Sequence, residues 1–381
     1  MENKICIYAI CKNEIKFVDQ WLDNMSEADY IVVLDTGSTD GTYEKLKADK
    51  RVTKVVRQEI KPWRFDVARN ESMKLVPDDA NILLCTDFDE TFEPGWGKLI
   101  RDNWTPQTTR GYYMYAWSHT NIGEPSDMFV YNKMHTRGYK WIYPVHEILT
   151  PIPEEVPEEH IIDFGKQIFL HHWPDKTKSR KYYFDLLKLS VEENPGNCHV
   201  QLLYAREYLL NNDQNGALPE YLSLLKMPEI DKPENRNILL EALGRVADIY
   251  CIQKNYDEAI WYAQEFIKED PTYREPYLLL ANMYNDMHMY TLAEGVLQSM
   301  FKYTTRKYTW IERKFSWLGL PHDLLSITYY NLGNIDAAIE NCQLALKHEP
   351  NDINLLQRLN AFLNAKIEKL GKEMANSQKK N

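Results

Sequence analysis

A chain of 381 residues is long enough for two or three domains, each with its own core. Its 44% hydrophobic and 27% charged content is ordinary for a soluble globular protein, and a net charge of -11 argues against a general nucleic-acid or anionic-membrane binder. No run approaches the roughly 20 apolar residues needed to cross a bilayer, and the early apolar run ends too soon at Lys12-Asn13-Glu14 for a signal peptide, so a cytoplasmic location is expected.

In chain order, residues 5–10 read as a strand and 15–25 as an amphipathic helix. A second strand at 30–34 leads to a helix at 42–48, a third at 52–58 to a helix at 65–75, and a fourth lies at 81–85. This alternation predicts a mostly parallel sheet with helices on both faces, whose ligands bind beyond the carboxyl ends of the strands. Those ends are Lys12-Asn13-Glu14, Asp35-Thr36-Gly37-Ser38 and Asp87-Phe88-Asp89, all polar. The proline- and acid-rich stretch 151–160 is expected to be a surface loop over the site.

From about residue 178 only helical patterns remain. The motif at 255–260 recurs loosely at 289–294 and 334–339, with Ala259 and Ala293 34 residues apart. Ala259 to Ala338 spans 79 residues, as does Pro271 to Pro350, which equals two repeats of 34 plus an insert of 11 placed within 303–317. A 34-residue helix-turn-helix period with a small residue at the tight contact is the tetratricopeptide pattern. Its best copy is 323–350, and a degenerate pair is expected at 180–227 with its break at Asn194-Pro195. The expected division is 1–177, 178–370 and a polar tail at 371–381. The insert aromatics Tyr303, Tyr308, Trp310, Phe315 and Trp317 read as core rather than as a ligand platform. Six scattered cysteines without a C-x-x-C pair read as reduced thiols.

Several residues carry chemistry. After the apolar run at 81–85, Asp87, Asp89 and Glu90 follow within four residues. If the chain stays extended there, Asp87 and Asp89 point the same way and make an oxygen-rich site for Mg²⁺ or Mn²⁺. Asp35 ends a buried strand, where a carboxylate is costly without a partner. Gly37 permits a tight turn and Asp40 can cap the following helix. Arg69 can reach a phosphate or a carboxylate of the site. His146-Glu147 and His171-His172 offer a metal ligand and a general base.

The set in this order, strand-Lys-Asn-Glu, Leu-Asp-x-Gly-Ser-x-Asp-Gly-Thr, Ala-Arg-Asn and Asp-x-Asp, resembles the family 2 glycosyltransferases of GT-A fold. With Val145-His146-Glu147, Leu170-His171, Lys178-Ser179-Arg180 and the helical repeats, it is similar to the tetratricopeptide-bearing branch that includes the sublancin S-glycosyltransferase. The resemblance implies an α/β GT-A domain followed by an all-α tetratricopeptide domain, and a metal-dependent inverting transfer of a hexose, glucose or N-acetylglucosamine. The donor would be a UDP-sugar, and the acceptor a peptide, a protein or a saccharide. By the same resemblance Asp35 contacts uracil or ribose, and Lys12, Asn13 and Glu14 flank the nucleotide cleft. Arg69 supports the uridine-side wall and Asp87 lies by the ribose and sugar. Asp89 and His171 hold Mn²⁺ or Mg²⁺, with His172 as the alternative ligand. Glu147 is the first candidate for the base and Glu90 the second. The chain departs from many relatives in having Arg64 before Phe65, and His172-Trp173-Pro174 after the late histidine. The repeats are expected to present a concave surface to a protein acceptor or to pair two chains as a homodimer. The alternative function is an inactive nucleotide-sugar-binding scaffold working through its repeats.

Overall fold

The computed structural model describes residues 2–120, 123–175, 182–307 and 309–378, with side chains to 376. Lys178, Ser179 and Arg180 of the sequence motif, Tyr308 of the insert and the expected boundary at 177/178 lie outside these residues. The chain forms two compact units, Met1–Pro195 and Gly196–Asn381. None of the described helices is long and apolar enough to cross a membrane.

The first unit is built on strands β1 (Ile5–Cys11), β2 (Tyr30–Asp35), β3 (Lys54–Arg57), β4 (Ile82–Cys85), β5 (Glu90–Phe92), β6 (Arg110–Ala116) and β7 (Met128–His135), then β8 (Tyr139–Ile142), β9 (Ile148–Pro151), β10 (Ile161–Asp163) and β11 (Phe169–His172). Its helices are α1 (Val18–Met25), α2 (Thr42–Ala48), α3 (Phe65–Met73), α4 (Trp96–Asn103) and α5 (Tyr183–Glu193). The main sheet runs β3-β2-β1-β4-β7-β6-β11-β5, with β10 also on β6, and β8-β9 form a separate hairpin.

The half from β3 to β4 is parallel, as the strand-helix alternation predicts. Beyond it the sheet is mixed, because β7 runs antiparallel to both β4 and β6. Only 117–127 separates β6 from β7, and a parallel return needs a crossover of a dozen or more residues. Alternation along β1 explains the layering. Ile5, Ile7 and Ala9 pack with Trp21 and Leu22 of α1 and Trp96 and Ile100 of α4. Cys6 and Tyr8 face the other way, toward Val76, Tyr139, Trp141 and Leu149. The 151–160 loop buries Val156 in this second layer, and its Glu159 pairs with Arg110 at 3.0 Å and accepts from Tyr139 at 2.8 Å. Its contacts are thus made at the start of β6, away from the Ala116 end.

The second unit contains only α-helices and short 3₁₀ turns among its described residues. They are α6 (Cys198–Leu210), α7 (Gln214–Leu224), α8 (Arg236–Ile252), α9 (Tyr256–Glu269), α10 (Glu275–Asp286), α11 (Tyr290–Met300), α12 (Leu320–Asn331), α13 (Ile335–His348) and α14 (Ile353–Gln378). The hairpins α6-α7, α8-α9, α10-α11 and α12-α13 share one turn, in which Asn212, Lys254, His288 and Gly333 take a left-handed backbone. Lys254 and His288 are 34 positions apart, matching the sequence period. Ala217, Ala259, Ala293 and Ala338 are each fully buried near the start of the second helix, where a small side chain lets the pair close. This is a tetratricopeptide-type array, and its first hairpin had no alanine signal assigned in the sequence. The insert is mostly irregular, with a short 3₁₀ turn at Lys314–Trp317. Phe315 and Trp310 stand half exposed in it, whereas Ile311 is buried.

Candidate active site

Register puts the polar strand ends in one row. Cys11 of β1 lies beside Asp35 of β2, and Asp35 beside Arg57 of β3. Tyr8 of β1 is opposite Cys85, the last residue of β4. The residues just past β1, β2 and β4 therefore share one edge of the sheet, where open α/β sheets bind ligands.

Asn13 is left-handed (φ 59°), and this turns the chain back onto the β2 loop. Its N–H donates to Ser38 Oγ at 2.9 Å, and its Oδ1 accepts from Thr39 N at 2.8 Å. Glu14 N–H donates to Thr42 Oγ1 at 2.8 Å, and Lys12 is exposed. Asp35 is fully buried. Its Oδ1 accepts from Gly37 N (3.1 Å), Ser38 N (3.0 Å) and Arg57 Nε (3.2 Å), and the Cys11 thiol lies 3.5 Å from its Oδ2. These donors satisfy the carboxylate that the sequence leaves seeking a partner. Asp40 caps the start of α2 by accepting from Thr42 N at 3.0 Å.

The Asp87–Asp89 segment does not stay extended. Glu90 N donates to Asp87 O at 3.2 Å, closing a turn. Phe88 at its tip stacks on Trp21 with ring centroids 4.2 Å apart, and Trp21 Nε1 donates to Thr86 Oγ1 at 3.2 Å. The apolar residue between the two aspartates is thus anchored in the core, and the aspartates face different partners.

Asp87 faces Arg69 and Lys133. Arg69 Nη2 donates to Asp87 Oδ1 at 2.9 Å, and Lys133 Nζ lies 3.4 Å from Oδ2. Arg69 also donates through Nε to Glu147 Oε1 and through Nη1 to Cys85 Sγ at 3.1 Å. One buried guanidinium from α3 therefore ties Asp87 to Glu147. Burial works against charge on Asp87, but Arg69 and Lys133 outweigh it and hold this carboxyl well below the usual carboxylate range. Asp87 still leaves 34% of its side chain open, against 10% for Glu147. Burial pushes the Cys85 thiol up to about 11, as expected of a reduced, inert cysteine.

Glu90 is closed in. Its Oε2 accepts from Asp87 N at 2.9 Å and its Oε1 from Tyr115 OH at 3.0 Å, with 1% of the residue exposed. Burial raises its carboxyl to about 7 against the opposing pull of Lys133. The arrangement makes Glu90 the clamp of the turn.

Asp89 faces His172. The strand alternation of β11 sends its two histidines to opposite sides. His172 Nε2 lies 3.5 Å from Asp89 Oδ2, and its Nδ1 is 3.3 Å from Trp117 O. Its ring stacks on Trp117 at 4.8 Å. His171 instead contacts Glu93 through Nε2 (3.3 Å) and His119 through Nδ1 (3.0 Å), while His119 stacks on Trp173. The structure brings Asp89 together with His172 and not with His171. Among the described residues no group of three His, Cys, Asp or Glu side chains is arranged to hold a metal.

Lys133, Arg57, Tyr115 and Trp117 were not singled out in the sequence. Lys133 had a signal available, a lysine amid the apolar and aromatic residues of β7 that is buried over the Tyr131 ring at 4.7 Å. Arg57 and Tyr115 belong to strands whose site-facing side depends on pairing register, and Trp117 follows directly on β6.

The first unit is thus an α/β domain with a polar edge at its strand ends, and the second is a helical-repeat domain. Residues 6–105 match the family model of glycosyl transferase family 2, which spans β1 through α4 and includes Asp35, Arg69, Asp87 and Asp89. No curated protein matches the chain. Solved structures similar to it include tetratricopeptide proteins. A thermophilic one from Thermus thermophilus is 19% identical over 47% of this chain and 88% of its own, with a TM-score of 0.34. MamA from Desulfovibrio magneticus is 15% identical over 48% and 93%, with a TM-score of 0.37.

Proposed function

We propose that this chain transfers a hexose, glucose or N-acetylglucosamine, from a UDP-sugar to a peptide, protein or saccharide acceptor, with inversion at the anomeric carbon. The observation that carries this reading is the shared strand edge, at which a held Asp87, a separately partnered Asp89 and the β1 and β2 turns meet within and beside the matched segment. Asp87, kept ionised by Arg69 and Lys133 yet partly open, is proposed to accept hydrogen bonds from ribose or sugar hydroxyls. Asp35 is proposed to act on the nucleotide through the Gly37-Ser38 turn that it holds, with Lys12, Asn13 and Glu14 beside it. Glu147 is proposed as the base, fixed at Oε1 by Arg69 and taking the acceptor proton at Oε2; such a base contributes roughly 10²–10⁴-fold. Glu90 ranks second because both its oxygens are engaged.

Asp89 and His172 are the proposed holders of Mn²⁺ or Mg²⁺. Their chemistry fits such an ion. With Nδ1–H donated to Trp117 O, the Nε2 lone pair of His172 is turned toward the Asp89 carboxylate, and two electron-rich atoms so placed call for a proton or a cation between them. A divalent ion bound there would supply Lewis-acid assistance to the departing diphosphate. A reducing, cytoplasmic setting is proposed from the six free cysteines, five of them buried.

The test is a UDP-release assay over a panel of sugar nucleotides with Mn²⁺, first without acceptor and then with peptide and saccharide acceptors. Release from one UDP-sugar, stimulated by an acceptor, is expected. Donor binding without release under every condition would favour the scaffold reading.

A further inference from the structure

The last helix of the second unit carries an apolar seam that its own fold does not cover. α14 packs on the preceding hairpin through Leu355 and Phe362, both 4% exposed, and Phe362 stacks on Tyr330. A neighbouring side, about a quarter-turn round the helix, exposes Ile353 (68%), Leu356 (47%), Leu363 (41%), Ile367 (67%), Leu370 (48%) and Met374 (66%). These positions are spaced alternately by three and four residues once Asn360, also exposed, is placed between Leu356 and Leu363. Over three heptads the a positions are Ile353, Asn360, Ile367 and Met374, and the d positions are Leu356, Leu363 and Leu370. A single buried-face helix needs none of this second stripe.

The residue types along the seam select a partner. β-branched residues at a with leucine at d favour two parallel strands, and one asparagine at an a position fixes register and chain number at a cost in stability. The seam carries no charge in a chain of net charge -11, so two copies can face it without like charges in contact. Its side chains leave on the order of 600 Å² exposed per chain, and the flanking positions bring this near the about 800 Å² per partner of a standard interface.

We propose that α14 pairs with α14 of a second copy of this chain as a parallel, in-register two-stranded coiled coil, with Asn360 facing Asn360 across the seam. The pairing is independent of the transfer reading, since it uses no residue of the sheet edge. It also names the surface for the homodimer expected from the repeats.

Sedimentation of the full chain from about 1 to 100 µM tests it. The wild type is expected to move from 45.0 kDa toward twice that mass as concentration rises. Ile367→Glu/Leu370→Glu, at positions exposed in the single chain, should keep its helical circular dichroism and stay monomeric throughout. Met374→Cys should give a disulfide-linked dimer under mild oxidation, because in-register parallel strands place position 374 opposite itself. A wild type that stays monomeric at 100 µM overturns the proposal, as does a dimer that survives the double glutamate variant. Loss of the dimer in that variant without a cross-link at 374 overturns the parallel register.

Discussion

Arg69 is the residue on which the edge depends most. It is buried, and its three nitrogens reach Glu147, Cys85 and Asp87. Replacing it by methionine leaves the buried Glu147 without its cation and Asp87 with Lys133 alone, and breaking such a buried pair costs about 3–5 kcal/mol. Urea unfolding of Arg69→Met should show a loss of that size. The two histidines of β11 separate more sharply. If His172 rather than His171 completes the site with Asp89, His172→Ala should weaken Mn²⁺ binding by at least about 10–100-fold, the range for the loss of an outer-shell partner alone. His171→Ala should leave it within about twofold, as read by calorimetric titration. Glu90 gives a pH signature. Its folded carboxyl is raised by burial from 4.5 to about 7, so between those values the folded state binds more protons than the unfolded one. Its contribution is therefore fully present below the unfolded value and declines as pH rises through about 7. Metal-free thermal melts should show this slope between pH 5 and 7.5, and Glu90→Gln should flatten it.

At the scale of elements, the parallel half of the sheet was legible because each of its strands is a short apolar run followed by a helical pattern. The predicted helix at 42–48 coincides with Thr42–Ala48. Strands β6 to β9 were not legible, since one-sided strands such as Met128–His135 mix aromatic, polar and charged residues without clear alternation. The turn at Phe88 was missed for a related reason. A carboxylate-flanked phenylalanine carries no turn signal of its own, and only Trp21, 67 positions earlier, gives it a reason to fold inward. The separate partners of the two aspartates, Lys133 and His172, likewise lie far along the chain from them. In the repeats the period was legible because Ala259 and Ala293 sit at equivalent tight contacts. Ala293→Leu should force the α10-α11 hairpin apart and cost about 1–3 kcal/mol, measured by chemical unfolding.

At the scale of the molecule, a change from strand-helix alternation to helices alone was enough to separate two kinds of domain, each with cores of its own. The roles within the first were only partly readable, because Lys133 and His172 acquire their meaning from β6, β7 and β11 lying side by side. We propose that the strand edge performs glycosyl transfer with Asp89 and Glu147 as working groups. It is tested most directly by acceptor-dependent UDP release from the preferred UDP-sugar in Mn²⁺, compared among wild type, Asp89→Ala and Glu147→Gln. Each variant is expected to lose at least about 100-fold in rate while still folding. Near-wild-type transfer by both variants would contradict it.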